Sequence, residues 1–133
     1  MTDLMSDPLE DLAAVLRATV DGVAAEFGGA AQVVTDERQG TDLDPPAEMF
    51  VRTYLVSIPM APDAHATLTG TIVPRLAAEG WQVTARDTDR EFAVHFGRDG
   101  FDIGVMVGRL DGASIVVGGS TPAVVIPRPD DLR

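Results

Sequence analysis

Cysteine, lysine and asparagine are absent from this chain. Without cysteine there is no disulfide, no thiolate nucleophile and no cysteine-held zinc or iron–sulfur cluster. Without lysine there is no Schiff-base chemistry and no P-loop lysine, and without asparagine no N-glycosylation acceptor. Positive charge is scarce: ten arginines stand against 21 acids, for a net charge of −11. That balance excludes the basic footprint of a nucleic-acid binder, and an anionic membrane surface would repel it. No stretch approaches the ~18 apolar residues of a membrane span. The opening MTDLMSDPLEDL lacks a basic segment followed by an apolar one, so the expectation is a cytoplasmic protein.

What is present suits one α+β domain spanning residues 1–133, with 1–6 and 127–133 as tails. The acids are unevenly placed. Residues 1–48 hold 11 of them and two arginines, Arg17 and Arg38. The asymmetry fits an acidic interaction surface (Asp36, Glu37, Asp42, Asp44, Glu48) facing a basic protein partner, or an acidic exterior that simply keeps the protein in solution.

Helix and strand signals follow in order. Asp7 reads as an N-cap, Pro8 as the first helical residue and Glu10 as a capping-box partner. Leu9, Leu12, Leu16, Val20, Val23 and Phe27 form one apolar stripe, closed by Gly28-Gly29. A short strand over 31–35 fades into the polar stretch 36–46, expected as an exposed loop. A second strand runs over 49–58, with Phe50, Tyr54, Val56 and Ile58 on one parity broken only by Arg52. A helix from about Asp63 to Glu79 carries Leu68, Ile72 and Leu76 inward, with a kink at Pro74. Strands 81–86, 90–98, 101–110 and 113–118 complete a meander, with Asp99-Gly100 and Asp111-Gly112 as two-residue turns. The tail after Thr121 reads as surface chain. The order is α-β-β-α-β-β-β-β, an antiparallel sheet of five or six strands packed on one face by two helices.

Alternation places Phe92, Val94, Phe96, Ile103, Val105, Val107, Ile115 and Val117 toward the helices. The opposite face is rich in glycine (Gly97, Gly104, Gly108, Gly118), open to a ligand or partner or simply permitting twist. His65 and His95 could meet in space with a carboxylate to hold a metal, but the expectation is that His65 packs at a helix edge and His95 lies on the exposed sheet face. Asp87, Asp89 and Glu91 alternate, but Arg86 and Arg90 interleave, which favours a solvated turn over a cation site. Ser6, Ser57, Ser114 and Ser120 sit in no nucleophile elbow. Neither a cofactor nor a catalytic residue is expected.

Three stretches, Leu76–Val83 (LAAEGWQV), Arg98–Phe101 (RDGF) and Ser120–Val124 (STPAV), together resemble small actinobacterial lipoproteins and secreted proteins of unknown function. The likeness extends over residues 9–126. Where those relatives carry paired cysteines, this chain has Ala47 and Ala123. The resemblance implies that these two alanines are neighbours in space, in a version suited to a reducing cytoplasm.

The functional expectation is a noncatalytic protein-interaction module, of an immunity-, chaperone- or secretion-accessory kind, with homo-oligomers compatible. The alternative is a small-ligand domain with a pocket between the second helix and the sheet, near Tyr54, Trp81 and Met106.

Overall fold

A computed structural model describes residues 8–42 and 47–127. Helix α1 spans Pro8–Ala25 and buries Leu9, Ala13, Leu16, Val20, Val23 and Ala24 at three- and four-residue steps. Each larger aliphatic side chain buried there stabilises by about 1.5–3 kcal/mol, so hydrophobic contact fixes the helix. The expected cap at Asp7 lies outside the described residues. Glu10 reaches Arg52 at 2.8 Å.

The sheet has seven antiparallel strands: β1 (Gln32–Asp42), β2 (Ala47–Ile58), β3 (Gln82–Asp87), β4 (Glu91–Arg98), β5 (Phe101–Gly108), β6 (Ile115–Ser120) and β7 (Val124–Pro127). Their order is β1-β2-β6-β5-β4-β3, with β7 also on β2. Residues 36–42, expected as loop, are strand. Edge position explains it: β1 pairs only with β2, in register from Gln32↔Ser57 to Asp42↔Glu48. Polar side chains tolerate such an edge, and the ladder supplies the backbone partners that composition could not reveal.

The tail is also strand rather than loose surface chain. Residues 124–127 pair with the first residues of β2. The break between β6 and β7 is stapled at Thr121, a buried polar residue. Its N–H donates to the Arg52 carbonyl, and its Oγ1 accepts from the Arg52 N–H, both at 3.0 Å. A chain that bends out of one ladder thereby keeps its backbone groups satisfied.

The Asp99-Gly100 turn is as expected, with both residues at positive φ (54° and 84°). The second turn is longer than expected. β5 ends at Gly108, and the Arg109 N–H carries its pairing with the chain before β4 one step further, donating to the Arg90 carbonyl at 2.8 Å. The loop then closes through Ala113 N–H to the Leu110 carbonyl, with Gly112 at φ 77°.

Between β2 and β3 runs one composite helix: α2 (Ala64–Thr67), a π turn (Leu68–Ile72) and α3 (Val73–Ala78). Pro74 has no N–H to give to Gly70, and the widened turn lets Val73 bond the Leu68 carbonyl instead. The helix ends in a Schellman motif. Trp81 N–H donates to Leu76, Gly80 N–H to Ala77, and Gly80 lies at φ 95°. The L-x-x-x-G-W stretch is therefore a helix stop that drops Trp81 into the core.

Helices and sheet share one apolar interior. Leu16, Val20 and Val23 meet Tyr54, Val56 and Ile58, while Leu68, Ile72, Leu76 and Trp81 join Phe92, Phe96, Ile103 and Val105. The alternation read along β4, β5 and β6 holds for every inward residue named from sequence.

Candidate functional site

The densest polar constellation joins α1 to the β1–β2 hairpin. Arg52 projects from the helix-facing side of β2, at the position that broke the strand's apolar parity. It donates to Glu10 and to Asp36, each at 2.8 Å. Arg17 donates to Asp36 from the other side at 3.1 Å and lies 3.9 Å from Glu10. Asp36 is held below the ordinary aspartate value, chiefly by the Arg52 hydrogen bond and further by Arg17, against an opposing effect of burial. One turn of helix further on, the Tyr54 hydroxyl donates to Asp21 at 2.8 Å. Burial first, and then that carboxylate, push the phenol upward. These groups tie elements together. Sequence reasoning marks Arg52 only as an exception, and that exception is the signal for the cluster.

The five acids expected to form an interaction surface divide accordingly. Asp36 is exposed but engaged by Arg17 and Arg52. Glu37 stays exposed on the opposite side of β1, beside Gln39. Asp42 pairs across the hairpin with Glu48 in the backbone register, and Asp44 lies outside the described residues. Arg38, near them on β1, stacks over the Phe50 ring at 4.0 Å.

The expected pocket of Tyr54, Trp81 and Met106 is not formed. Tyr54 and Trp81 are buried members of the core, 6 % and 5 % exposed. Met106 alternates with the inward Val105 and Val107 and so lies on the other face of β5. The space between the second helix and the sheet is filled by Leu68, Ile72, Leu76 and Phe96. That removes the site on which the small-ligand alternative rested.

The three stretches quoted for the family resemblance converge at one corner of the sheet. The Arg98 guanidinium lies 4.6 Å above the Trp81 ring and donates to the Glu79 carbonyl at 2.7 Å. Gly100 abuts Pro122 so closely that a Cβ there would sit 3.0 Å from the proline ring. A shallow depression of about 470 Å³ lies on this corner, lined by Gly80, Gln82, Gly97 and the 98–101 turn. The cysteine mapping that the resemblance implies does not hold. Phe50 pairs with Val124 and Ala47 with Pro127, so Ala123 sits near Val51, about 13 Å along the strand from Ala47. A bridge needs Cβ atoms about 4 Å apart, so the two alanines are not a vacated disulfide.

The remaining chemistry-bearing residues are dispersed. His65 packs against Phe92 with ring centroids 4.6 Å apart, whereas His95 lies on the opposite sheet face. Asp87 pairs with Arg109, and Thr88 organises the turn to β4 by accepting from the Arg90 and Glu91 N–H groups. Ser57 and Ser114 meet each other at 3.2 Å. Among the described residues no three or more His, Asp or Glu gather where they could hold a metal. No helix among them is long and apolar enough to cross a membrane.

The glycine-rich face is less open than its composition suggests. The His95 ring occupies the space above Gly104, where a Cβ would come within 3.3 Å of it. Leu55 lies over Gly118, and Ala113 over Gly108. Neighbouring strands have laid their side chains into the gaps, giving a filled surface.

The fold is thus of the two-layer α+β class, with helices on one side of an antiparallel sheet. No protein-family model and no curated protein matches the chain. Among solved structures, that of the putative lipoprotein LppA from Mycobacterium tuberculosis is similar at a TM-score of 0.46 and 13 % identity, over 89 % of this chain and 76 % of that one.

Proposed function

We propose that this chain is a noncatalytic accessory domain that binds a basic protein through the acidic end of the β1–β2 hairpin. The observation that carries this reading is the pairing of Asp42 with Glu48 across the ladder, with Asp44 in the connection between them. Like charges directly opposite in a sheet destabilise it. Arg52 and Arg17 are drawn into Glu10 and Asp36, further along the hairpin. A cationic partner seated at the hairpin end would meet three acids within seven positions of the chain.

The experiment compares two variants of equal charge. In one, Asp42→Asn, Asp44→Asn and Glu48→Gln are combined; in the other, Asp63→Asn, Asp89→Asn and Asp111→Asn. The probe is an arginine-rich peptide titrated at low ionic strength. Binding should weaken at least about tenfold in the hairpin variant and at most about twofold in the other. Salt should weaken the wild-type interaction, since exposed charges are screened over about 10 Å at 0.1 M. Equal losses in both variants would mean that net charge alone attracts the peptide, and the proposal would fail.

A further inference from the structure

The helices cover one face of the sheet, and the register defines what the other presents. Three rows cross it from β1 to β3. The first runs Ser57, Val116, Met106, Ala93, Arg86; the second Thr35, Leu55, Gly118, Gly104, His95, Thr84; the third Glu37, Thr53, Ser120, Asp102, Gly97, Gln82. On a molecule of net charge −11 this face is poor in charge. Its middle is Leu55, Val116 and Met106, all half-buried and apolar, around the filled glycine positions. Glu37 and Arg86 stand at its two edges, and Asp102 and Glu91 at the ends of the rows on β5 and β4. An uncharged centre within a polar rim is the anatomy of a protein interface.

We infer that this face packs on the same face of a second copy, as a twofold dimer of sheets. The strand order puts β5 and β6 at the midline. A twofold axis along the strands, passing between them, preserves each row and exchanges β6 with β5, β2 with β4 and β1 with β3. Val116 then lands on the partner's Met106, Leu55 on the partner's His95, and Asp102 on the partner's Ser120. Glu37 meets the partner's Gln82, so no acid meets an acid. The surface is complementary to itself, as an isologous interface must be. Stacked sheets pack about 10 Å apart at about −30°, which displaces the outer contacts while keeping the central ones.

The size suffices. Six strands at about 4.8 Å spacing and about 20–26 Å long offer on the order of 600 Å² per copy. Two copies bury about 1,200 Å², at the lower end of stable interfaces. A basic partner fits this face less well than the hairpin end, because Asp42 and Glu48 lie beyond its rows.

Sedimentation of the full chain over a wide concentration range tests the inference. The wild type should reach a dimer. Val116→Glu, which sets a carboxylate on the partner's Met106 twice per dimer, should raise the dissociation constant at least about tenfold. Val15→Glu, at an exposed valine on the outer side of α1, should leave it unchanged. Circular dichroism and Trp81 fluorescence establish that each variant is folded. Should Val116→Glu misfold, Met106→Lys asks the same question, since its stem can stay on the sheet while the ammonium reaches water. A wild type that stays monomeric would overturn the inference. So would a dimer that survives the face substitution, or one that Val15→Glu disrupts equally.

Discussion

Arg52 and Tyr54 sit two positions apart on β2, and each joins the strand to α1 by a polar contact at the margin of an apolar interface. Arg52, with its side chain 17 % exposed, bonds two carboxylates at once. Removing it with Arg52→Ala should cost about 1–2 kcal/mol in chemical denaturation, more than an exposed ion pair because the pairs are shared and partly shielded. The pH dependence has a definite sign. A carboxyl held low in the folded state contributes stability above its unfolded value and loses it as pH falls through the folded one. The difference between wild type and Arg52→Ala should therefore be full near neutrality and vanish once Asp36 is protonated; a gap that persists in acid would contradict the assignment. Tyr54 runs the other way. Its raised value means stability that is present below the unfolded tyrosine value, about 10, and is lost as pH rises through the folded one. The chain has a single tyrosine, so phenolate absorbance reports Tyr54 alone. Ionisation should lag behind that of the unfolded chain, and Asp21→Asn should recover part of the lag.

Among the elements, two glycines make opposite predictions. A Cβ on Gly119 would stand 2.1 Å from the Asp102 carbonyl oxygen, backbone that belongs to a central strand and cannot retreat. Gly119→Ala should cost more than about 3 kcal/mol or abolish folding. Gly70, in the π turn, has open space where a methyl group would go, with nothing within 4 Å. Gly70→Ala should instead stabilise by about 0.5–1 kcal/mol, through lower unfolded-state entropy. Melting curves of the two variants read both. This contrast also marks where sequence was informative. The stripe of α1, the alternation of β4 to β6 and the Asp99-Gly100 turn were legible because short-range periodicity and turn chemistry determine them. Residues 36–42 and 124–127 were not. Their strands exist only because β2 is long enough to pair on both sides, and no local pattern in DERQGTD or VVIP carries that information. The site failed for a related reason: Tyr54 and Trp81 look like pocket-lining aromatics until the Schellman stop and the Asp21 bond place them inside. Met106 could have been excluded from parity alone, since it alternates with Val105 and Val107.

At the scale of the whole molecule, the arrangement is asymmetric. One sheet face is sealed by α1 and the composite helix, while the other is uncharged at its centre and bordered by a hairpin that gathers acids. The described interior holds apolar side chains and one buried polar residue, Thr121. Adjacent residues of β6 offer the most direct test. The chain has no cysteine, so Val116→Cys and Val117→Cys each introduce one thiol. Val117 is fully buried against the helices, and Val116 faces the other way. In dilute native solution, a thiol reagent should modify Val116→Cys at a rate near that of the unfolded chain and Val117→Cys only as fast as the fold opens. Equal rates at the two positions, or protection of Val116→Cys alone, would contradict the two-layer account.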